Sequence, residues 1–356
     1  MGRDQGRTGG RALGGRSGRG PGEFLRARMT GPGFDRLRQA FPFAVLAGFA
    51  VYPFLVGEYL VDVGFFFGVY ALLGLSLNIV LGEVGLFDLG HAGFYAIGAY
   101  ATAILNTRLG IPILVLLPVS ALIAGAFAYL VCSPVIHLRG DYLCIVTIGM
   151  GEIIRLALIN NPLDLTGGPN GVFGIDLPSL GGLLVIDSSV EYYFLVWIVV
   201  GVSVWGLHRL QNSRIGRAWN CIREDEVAAR GSGIDTRYYK LLAFVLGAAL
   251  AGVAGNIYAS KLLIVSPESF TFWESCLMFS IVLIGGMGSI PGVLIGAAAI
   301  SLLPEAFRAF SLYRMLVFGS AMILMMMFRP GGIWPRRRGG MELRTLLGRL
   351  IRRDGA

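Results

Sequence analysis

Apolar positions along the chain fall into long blocks separated by short polar breaks. A helical membrane span needs about 17–25 such residues. Runs near or above that length occupy 41–57, 63–81, 84–106, 112–134, 142–160, 190–207, 241–260, 270–287 and 311–328. A further run, Gly292–Leu303, is shorter and lies between Pro291 and Pro304, which suits either a short span or a re-entrant piece. The pattern predicts an all-α, polytopic helical membrane protein with about ten transmembrane segments. No small-residue cleavage site follows the first run, so Phe41–Val56 reads as a retained span.

Composition agrees with that pattern. Of 356 residues, 55% are hydrophobic and 15% charged, with a mean hydropathy of +0.68. Soluble domains carry roughly 25% charged residues. The charges are also unevenly placed, since 1–38, 208–240 and 329–356 hold 12, 11 and 10 of the 52. The remaining residues could not cover a soluble surface. Gly and Pro together number 67, without the G-x-y period of collagen.

Charge then sets an expected topology. The stretches 1–38, 209–240 and 329–353 hold 24 of the 30 Lys/Arg residues. Basic loops stay on the cytoplasmic side and meet anionic headgroups. Six crossings before residue 209 and four after residue 240 put all three stretches, and both termini, inside. The same scheme puts 161–189 outside, where there are three Asp and no Lys or Arg, together with Glu58 and Asp62. Arg108, Lys261 and Arg308 also fall outside, against the trend. The expected division is a basic N-terminal arm at 1–40, a transmembrane domain at 41–330 and a basic tail at 331–356. Translation could start at Met1 or at Met29. The Arg/Gly-rich beginning is read as a membrane-facing arm, not a nucleic-acid-binding one.

The residues that could carry covalent chemistry are sparse. Cys132, Cys144, Cys221 and Cys276 form no C-x-x-C and read as small hydrophobes. His91, His137 and His208 have no metal-ligand spacing, so no metal or other cofactor is implied. No G-x-S-x-G elbow and no Gly-Lys-Ser/Thr phosphate loop occurs. ATP hydrolysis, if it drives this protein, belongs to another chain.

Polar residues inside apolar runs are the better candidates, because a charge at bilayer depth is costly unless paired or hydrated. Glu152 and Arg155 lie three apart on one helical face, roughly 16 Å along from Asp141 for Glu152. They could form a structural pair or line a path. Asp88 and His91 share the same spacing in a Gly-rich stretch containing Gly90, Gly93 and Gly98, which permits close packing or a broken helix. Asn78 is a path candidate or an interhelical hydrogen-bond partner, and Tyr95 with Phe94 an apolar wall or core. Thr166-Gly167-Gly168-Pro169-Asn170-Gly171 suits either a surface turn or a nest of N–H groups for a carboxylate. Between two spans, Arg223, Glu224, Asp225, Glu226 and Arg230 flank Val227–Ala229 in a pattern that favours a short helix closed by Gly231 and Gly233.

These stretches resemble a known family. Glu226, Ala228, Ala229, Gly233 and Ile234-Asp235 look like the cytoplasmic coupling motif of ATP-binding-cassette (ABC) importer permeases. The segments 78–105, 139–155, 166–171, 238–259 and 281–297 resemble the LivM-type permease of branched-chain amino acid transporters, and the likeness covers about 45–330. Asp88 departs from the small polar residue, such as Ser, expected there. The resemblance implies a transmembrane subunit, without catalysis of its own, in a bacterial plasma membrane. It further implies a second, related permease, two ATP-binding subunits and an extracytoplasmic binding protein. Arg217, Arg223, Glu226, Ala228, Ala229, Gly233 and Asp235 would form the ATPase coupling segment. Urea or short amides are alternative substrates within the family. An ion-coupled secondary transporter is the rival class, and a membrane enzyme a distant third.

Overall fold

The computed structural model describes residues 49, 51–138, 140–180, 184–306, 319–320, 323, 327–328 and 331–335. The chain divides into Met1–Leu55 and Val56–Ala356. In the first unit the described residues 51–55 are helical. The expected arm, most of the 41–57 and 311–328 runs, Arg308 and the basic tail beyond residue 335 lie outside the described residues.

The second unit is built from helices because its apolar blocks must satisfy their own backbone groups in lipid. They are α1 (Glu58–Leu77), α2 (Ala92–Leu109), α3 (Ile113–Val135), α4 (Asp141–Ile159), α5 (Ser189–Gln211), α6 (Arg214–Glu224), α7 (Glu226–Gly231), α8 (Thr236–Leu262), α9 (Phe272–Gly285) and α10 (Ile290–Ala306). Among the described residues, two-residue strands pair in the loops: β1 (Val172–Phe173) with β4 (Ile264–Val265), and β2 (Ser179–Leu180) with β3 (Leu184–Val185), both antiparallel. Among the described residues, five helical stretches are long and apolar enough to cross a membrane, Glu58–Val84 being one, and two shorter apolar helices follow at Phe272–Gly285 and Ile290–Leu302. This is a multi-pass helical membrane protein.

Helix α8 is the hub and packs along α2 and α3, while α1 packs on α5, α8 and α10. Small residues let the central helices approach. A Cβ built on Gly98 would stand 2.3 Å from Gly252 Cα, so only glycine fits at this crossing. Asn256 of α8 donates to Thr102 Oγ1 (3.0 Å) and to Ile113 O (3.3 Å), fixing α2 and α3 to the hub.

The third apolar run does not form one helix. After α1 the chain winds into a wider π-helical turn at Asn78–Val84, and Gly85 stops it at φ 81°. Residues 85–91 are largely non-helical, and α2 starts only at Ala92. The reason lies in the same sequence: Gly82, Gly85 and Gly90 weaken the helix, and Asp88 accepts a hydrogen bond from Gly90 N (3.0 Å) instead of continuing it. The short run between Pro291 and Pro304 proves to be part of α10, with Pro291 in its first turn, where the missing N–H costs nothing.

The two ends of the bundle are chemically distinct. At one end, Arg223 of α6 donates to Gly82 O, Gln211 Nε2 at the end of α5 donates to Glu83 Oε1 (2.6 Å), and Gly288 N donates to Asn78 Oδ1 (2.9 Å). At the other end, Asp176 N donates to Asn106 Oδ1 (2.8 Å) and Arg108 donates to Asp164 O (2.9 Å). Lys261, also at that end, lies 3.0 Å from Asp62 Oδ1, donates to Ser189 Oγ (2.8 Å) and sits over the Phe65 and Tyr192 rings. The two basic residues that ran against the charge trend there thus each have a partner on this surface.

Candidate functional site

Three clusters gather the residues singled out by sequence. The first is the break before α2. His91 Nδ1 lies 2.9 Å from Asp88 Oδ2, and its Nε2 lies 2.8 Å from Ser76 Oγ of α1. Ser76, His91 and Asp88 are all fully buried. The line-up resembles a hydrolytic Ser–His–carboxylate set, and Ser76 carries no local signal of it along the chain. The set is closed off from solvent, and the Ser76 hydroxyl also donates 2.7 Å to Leu73 O. It acts as a brace that holds the broken segment against α1. Asn78 is buried, and its Oδ1 accepts from Gly288 N in the turn between α9 and α10.

The second cluster surrounds a small pocket where α2, α4 and α9 meet. It is lined by Ala92, Gly93, Ile148, Glu152, Phe270 and Ser275, among others. The starts of α2 and α9 join there through Ala92 N donating to Ser275 Oγ (3.0 Å). Helix α4 is seated by Leu89 N donating to Thr147 Oγ1 (3.2 Å) and by close contact of Gly90 with the Thr147 carbonyl. Arg155 grips Glu152 through Nε (3.0 and 3.1 Å) and Nη2 (2.5 Å). Its Nη1 stands 3.8 Å from Glu268 Oε1, in the turn Pro267–Phe270 before α9. The Glu152 and Arg155 side chains are 40% and 20% exposed, so the pair is not closed off by this chain. Tyr95 is buried, with its ring 4.9 Å from that of Phe270 and 5.5 Å from that of Tyr258, and so backs the pocket wall from behind.

The turn at Thr166–Gly171 sits at the Asp176/Lys261 end. Asn161 Oδ1 accepts from Thr166 N (2.9 Å), Gly167 N (3.0 Å) and Thr166 Oγ1 (3.1 Å). Thr166 and Gly168 are buried, whereas Gly167 and Asn170 are exposed. This part of the turn binds its own chain.

The third cluster is the loop between α5 and α8. Ser213 caps α6, and Asp225 caps α7 by accepting from Val227 N (2.8 Å) and Ala228 N (3.0 Å). Helix α7 closes with Gly233 N donating to Arg230 O (3.0 Å) and Ile234 N to Ala229 O (3.1 Å), a pattern that needs a left-handed residue at 233. Gly233 supplies it at φ 82°. Asp235 in turn caps α8 through Tyr238 N (3.1 Å). Glu226 joins the two helices, reaching Arg230 Nη2 (2.6 Å) and Lys240 Nζ (2.7 Å). The faces differ from the sequence expectation in one respect. Ala228 and Val227 are exposed, but Ala229 is buried against the chain's own core, so it cannot itself approach a partner. Arg217 is exposed, donating to Asn212 O (3.4 Å), and Arg223 is turned inward onto Gly82 O.

Four contributors escaped sequence reasoning. Ser76, Ser275 and Thr147 are ordinary hydroxyls within apolar helices, and Glu268 is an exposed loop acid. None carries a local signal, because each matters only through a partner distant in sequence.

The family described as "Branched-chain amino acid transport system / permease component" matches residues 59–327. The LivM high-affinity branched-chain amino acid transport permease of Escherichia coli is 41% identical, the match covering 86% of this chain and 77% of that protein. The BraD permease of Pseudomonas aeruginosa is 29% identical over 75% of this chain and 92% of its own. A probable LivM permease of Methanocaldococcus jannaschii is 25% identical over 76% and 92%. No solved structure matches. A family match across most of the bundle, with a relative at 41% identity, shows that the chain belongs to the branched-chain amino acid transport permease family.

Proposed function

We propose that this chain is one of two related permease subunits of an ABC importer that carries branched-chain amino acids inward across a bacterial plasma membrane. Two ATP-binding subunits would dock on the cytoplasmic face, and an extracytoplasmic binding protein would deliver substrate at the other. The observation that carries this reading is the build of α7. A six-residue helix cannot hold itself together in water. Here it is capped at both ends and tied by Glu226 to Lys240 of α8, the hub of the bundle. A push on the exposed Val227–Ala228 face therefore moves a membrane-spanning helix, which is what coupling to an ATPase requires.

The end bearing α6 and α7 would be cytoplasmic, with the Thr166–Gly171 turn outside. The chain performs no covalent chemistry in this scheme. Its Ser76–His91–Asp88 set is sealed, and ATP hydrolysis falls to the partners. The half-exposed Glu152–Arg155 pair would face the path formed with the second permease, since lipid does not accept it.

The test is reconstitution with the partner subunits in proteoliposomes and measurement of radiolabelled leucine uptake. The expected result is uptake that needs internal-face ATP and the binding protein. Uptake driven by an ion gradient without ATP would overturn the reading in favour of a secondary transporter. ATP-driven uptake of urea or short amides, with no uptake of leucine, would change the substrate class.

A further inference from the structure

The ion pairs around Arg155 are unequal. Glu152 holds the Nε and Nη2 edge at 2.5–3.1 Å, within hydrogen-bond reach. Glu268 faces Nη1 at 3.8 Å, beyond it. One carboxylate is therefore a fixed partner on the same helix, and the other a loose one on a separate loop. Glu268 is also 75% exposed, so little holds it in place.

Arg155 lies four residues before the end of α4, about 6 Å along the helix from its terminus at Ile159. The loose link thus sits near the mouth at the Thr166 end of the bundle. Directly beside it, Phe270, Thr271 and Phe272 continue from Glu268 into the wall of the pocket, and Glu152 lines the same pocket. The opposite wall is apolar or small: Leu89, Ala92, Gly93 and Ile148.

We propose that the Arg155–Glu268 link is an exchangeable latch that receives the backbone of an amino-acid zwitterion at the entrance of the path. This inference rests on the importer reading above. The substrate carboxylate takes Arg155 Nη1 and its ammonium faces Glu268. Charge arithmetic selects the class. Glu152 already neutralises Arg155, so inserting a zwitterion between Arg155 and Glu268 gives each charge a partner. A simple anion would leave Glu268 facing it, and a neutral amide would break the pair without replacing either half. Arginine suits the role because its planar fork can keep Glu152 on one edge while accepting a second carboxylate on the other.

Glu268→Gln tests this, since an exposed side chain can change without unfolding the protein. Arg155→Lys is the second variant, because it keeps a cation beside Glu152. Both are read in the reconstituted importer as the maximal leucine uptake rate at saturating leucine-loaded binding protein, with assembly checked by size-exclusion chromatography. Binding of radiolabelled leucine to the purified complex is measured in parallel, with 4-methylpentanoate and isoamylamine as competitors. The expected result is a fall of about tenfold or more in both variants, matching loss of one charge-assisted contact. The wild type should discriminate against both competitors, and Glu268→Gln should lose its preference for leucine over 4-methylpentanoate. A Glu268→Gln complex that reaches the wild-type maximal rate once binding protein saturates would overturn the latch and make Glu268 a docking contact only. A wild-type complex that imports no amino acid would instead remove the importer reading itself.

Discussion

Lys240 Nζ lies 2.7 Å from Glu226 Oε2, and both side chains are withdrawn from solvent, with 5% and 17% exposure. The pair fastens the loop helix α7 to the hub helix α8. Thr236 strengthens the junction by accepting from Arg230 Nε (2.9 Å). A buried cation that loses its close carboxylate costs far more than a surface ion pair contributes. Glu226→Gln should therefore destabilise the protein towards the low end of ~3–5 kcal/mol. Removing both charges in Glu226→Gln/Lys240→Met should recover most of it. Thermal unfolding in detergent checks both, and equal losses in the single and double variants would show that Lys240 is not the cause.

The two alanines of α7 should separate folding from coupling. Ala229 is buried, so Ala229→Glu places a charge in the core and should lower the yield of folded protein. Ala228 is exposed, so Ala228→Glu should leave folding intact. If α7 docks on an ATPase, Ala228→Glu should still cut uptake in the reconstituted importer by tenfold or more, as about 1.4 kcal/mol of lost docking would. Full uptake by a well-folded Ala228→Glu protein would make this loop a connector.

Glycine at the α2–α8 crossing has a simpler test. A Cβ at Gly98 would lie 2.3 Å from Gly252 Cα and 2.4 Å from its carbonyl oxygen. Backbone cannot step aside as a flexible side chain can. Gly98→Ala should cost at least ~1–3 kcal/mol, the usual range for overpacking. Gly201→Ala, where the added carbon meets nothing within 4 Å, is the control and should not lower the unfolding midpoint.

Much of this architecture is legible in sequence because lipid leaves few options. The blocks at 112–134, 142–160, 190–207 and 241–260 correspond to α3, α4, α5 and α8 with ends shifted by a few residues. The block at 84–106 misleads because hydropathy does not register helix breaks. Gly85 and the Asp88 turn interrupt it without lowering its apolar content. Site residues divide in the same way. Local pairs such as Glu152–Arg155 and the cap at Asp225 follow from helical spacing. Contacts across the fold do not, so neither Ser76 beside His91 nor Glu268 beside Arg155 has a signal along the chain. The face that Ala229 presents is likewise set by how α7 leans on α8, which spacing alone does not fix.

Asp88 offers a test of the brace. It serves two donors at once, Gly90 N at 3.0 Å and His91 Nδ1 at 2.9 Å. Asp88→Ser should keep an oxygen for the Gly90 turn but lose the reach to His91. Asp88→Ala loses both and leaves two buried groups without their acceptor, each costing about 1–3 kcal/mol. The expected order of detergent stability is wild type, then Ser, then Ala. A serine variant as unstable as the alanine one would show that the imidazole contact alone holds the break.

The topology can be tested with a thiol the protein already has. Cys221 is exposed on α6, while Cys132 is buried and Cys144 and Cys276 are partly covered. Replacing those three by alanine leaves a single reactive site in the loop that 209–240 forms. Asn170 is exposed on the Thr166–Gly171 turn at the opposite end of the bundle, so Asn170→Cys with Cys221→Ala gives the complementary label. A membrane-impermeant maleimide applied to intact spheroplasts should modify residue 170 and spare Cys221, and lysis should make Cys221 react. Charge supports this order, because seven of the 30 Lys/Arg residues lie in 209–240 and none in 161–189. The same experiment also bears on coupling. Helix α7 follows α6 directly, so modification of Cys221 from outside would put the Val227–Ala228 face on the side away from cellular ATP, and the importer scheme would fail with the topology.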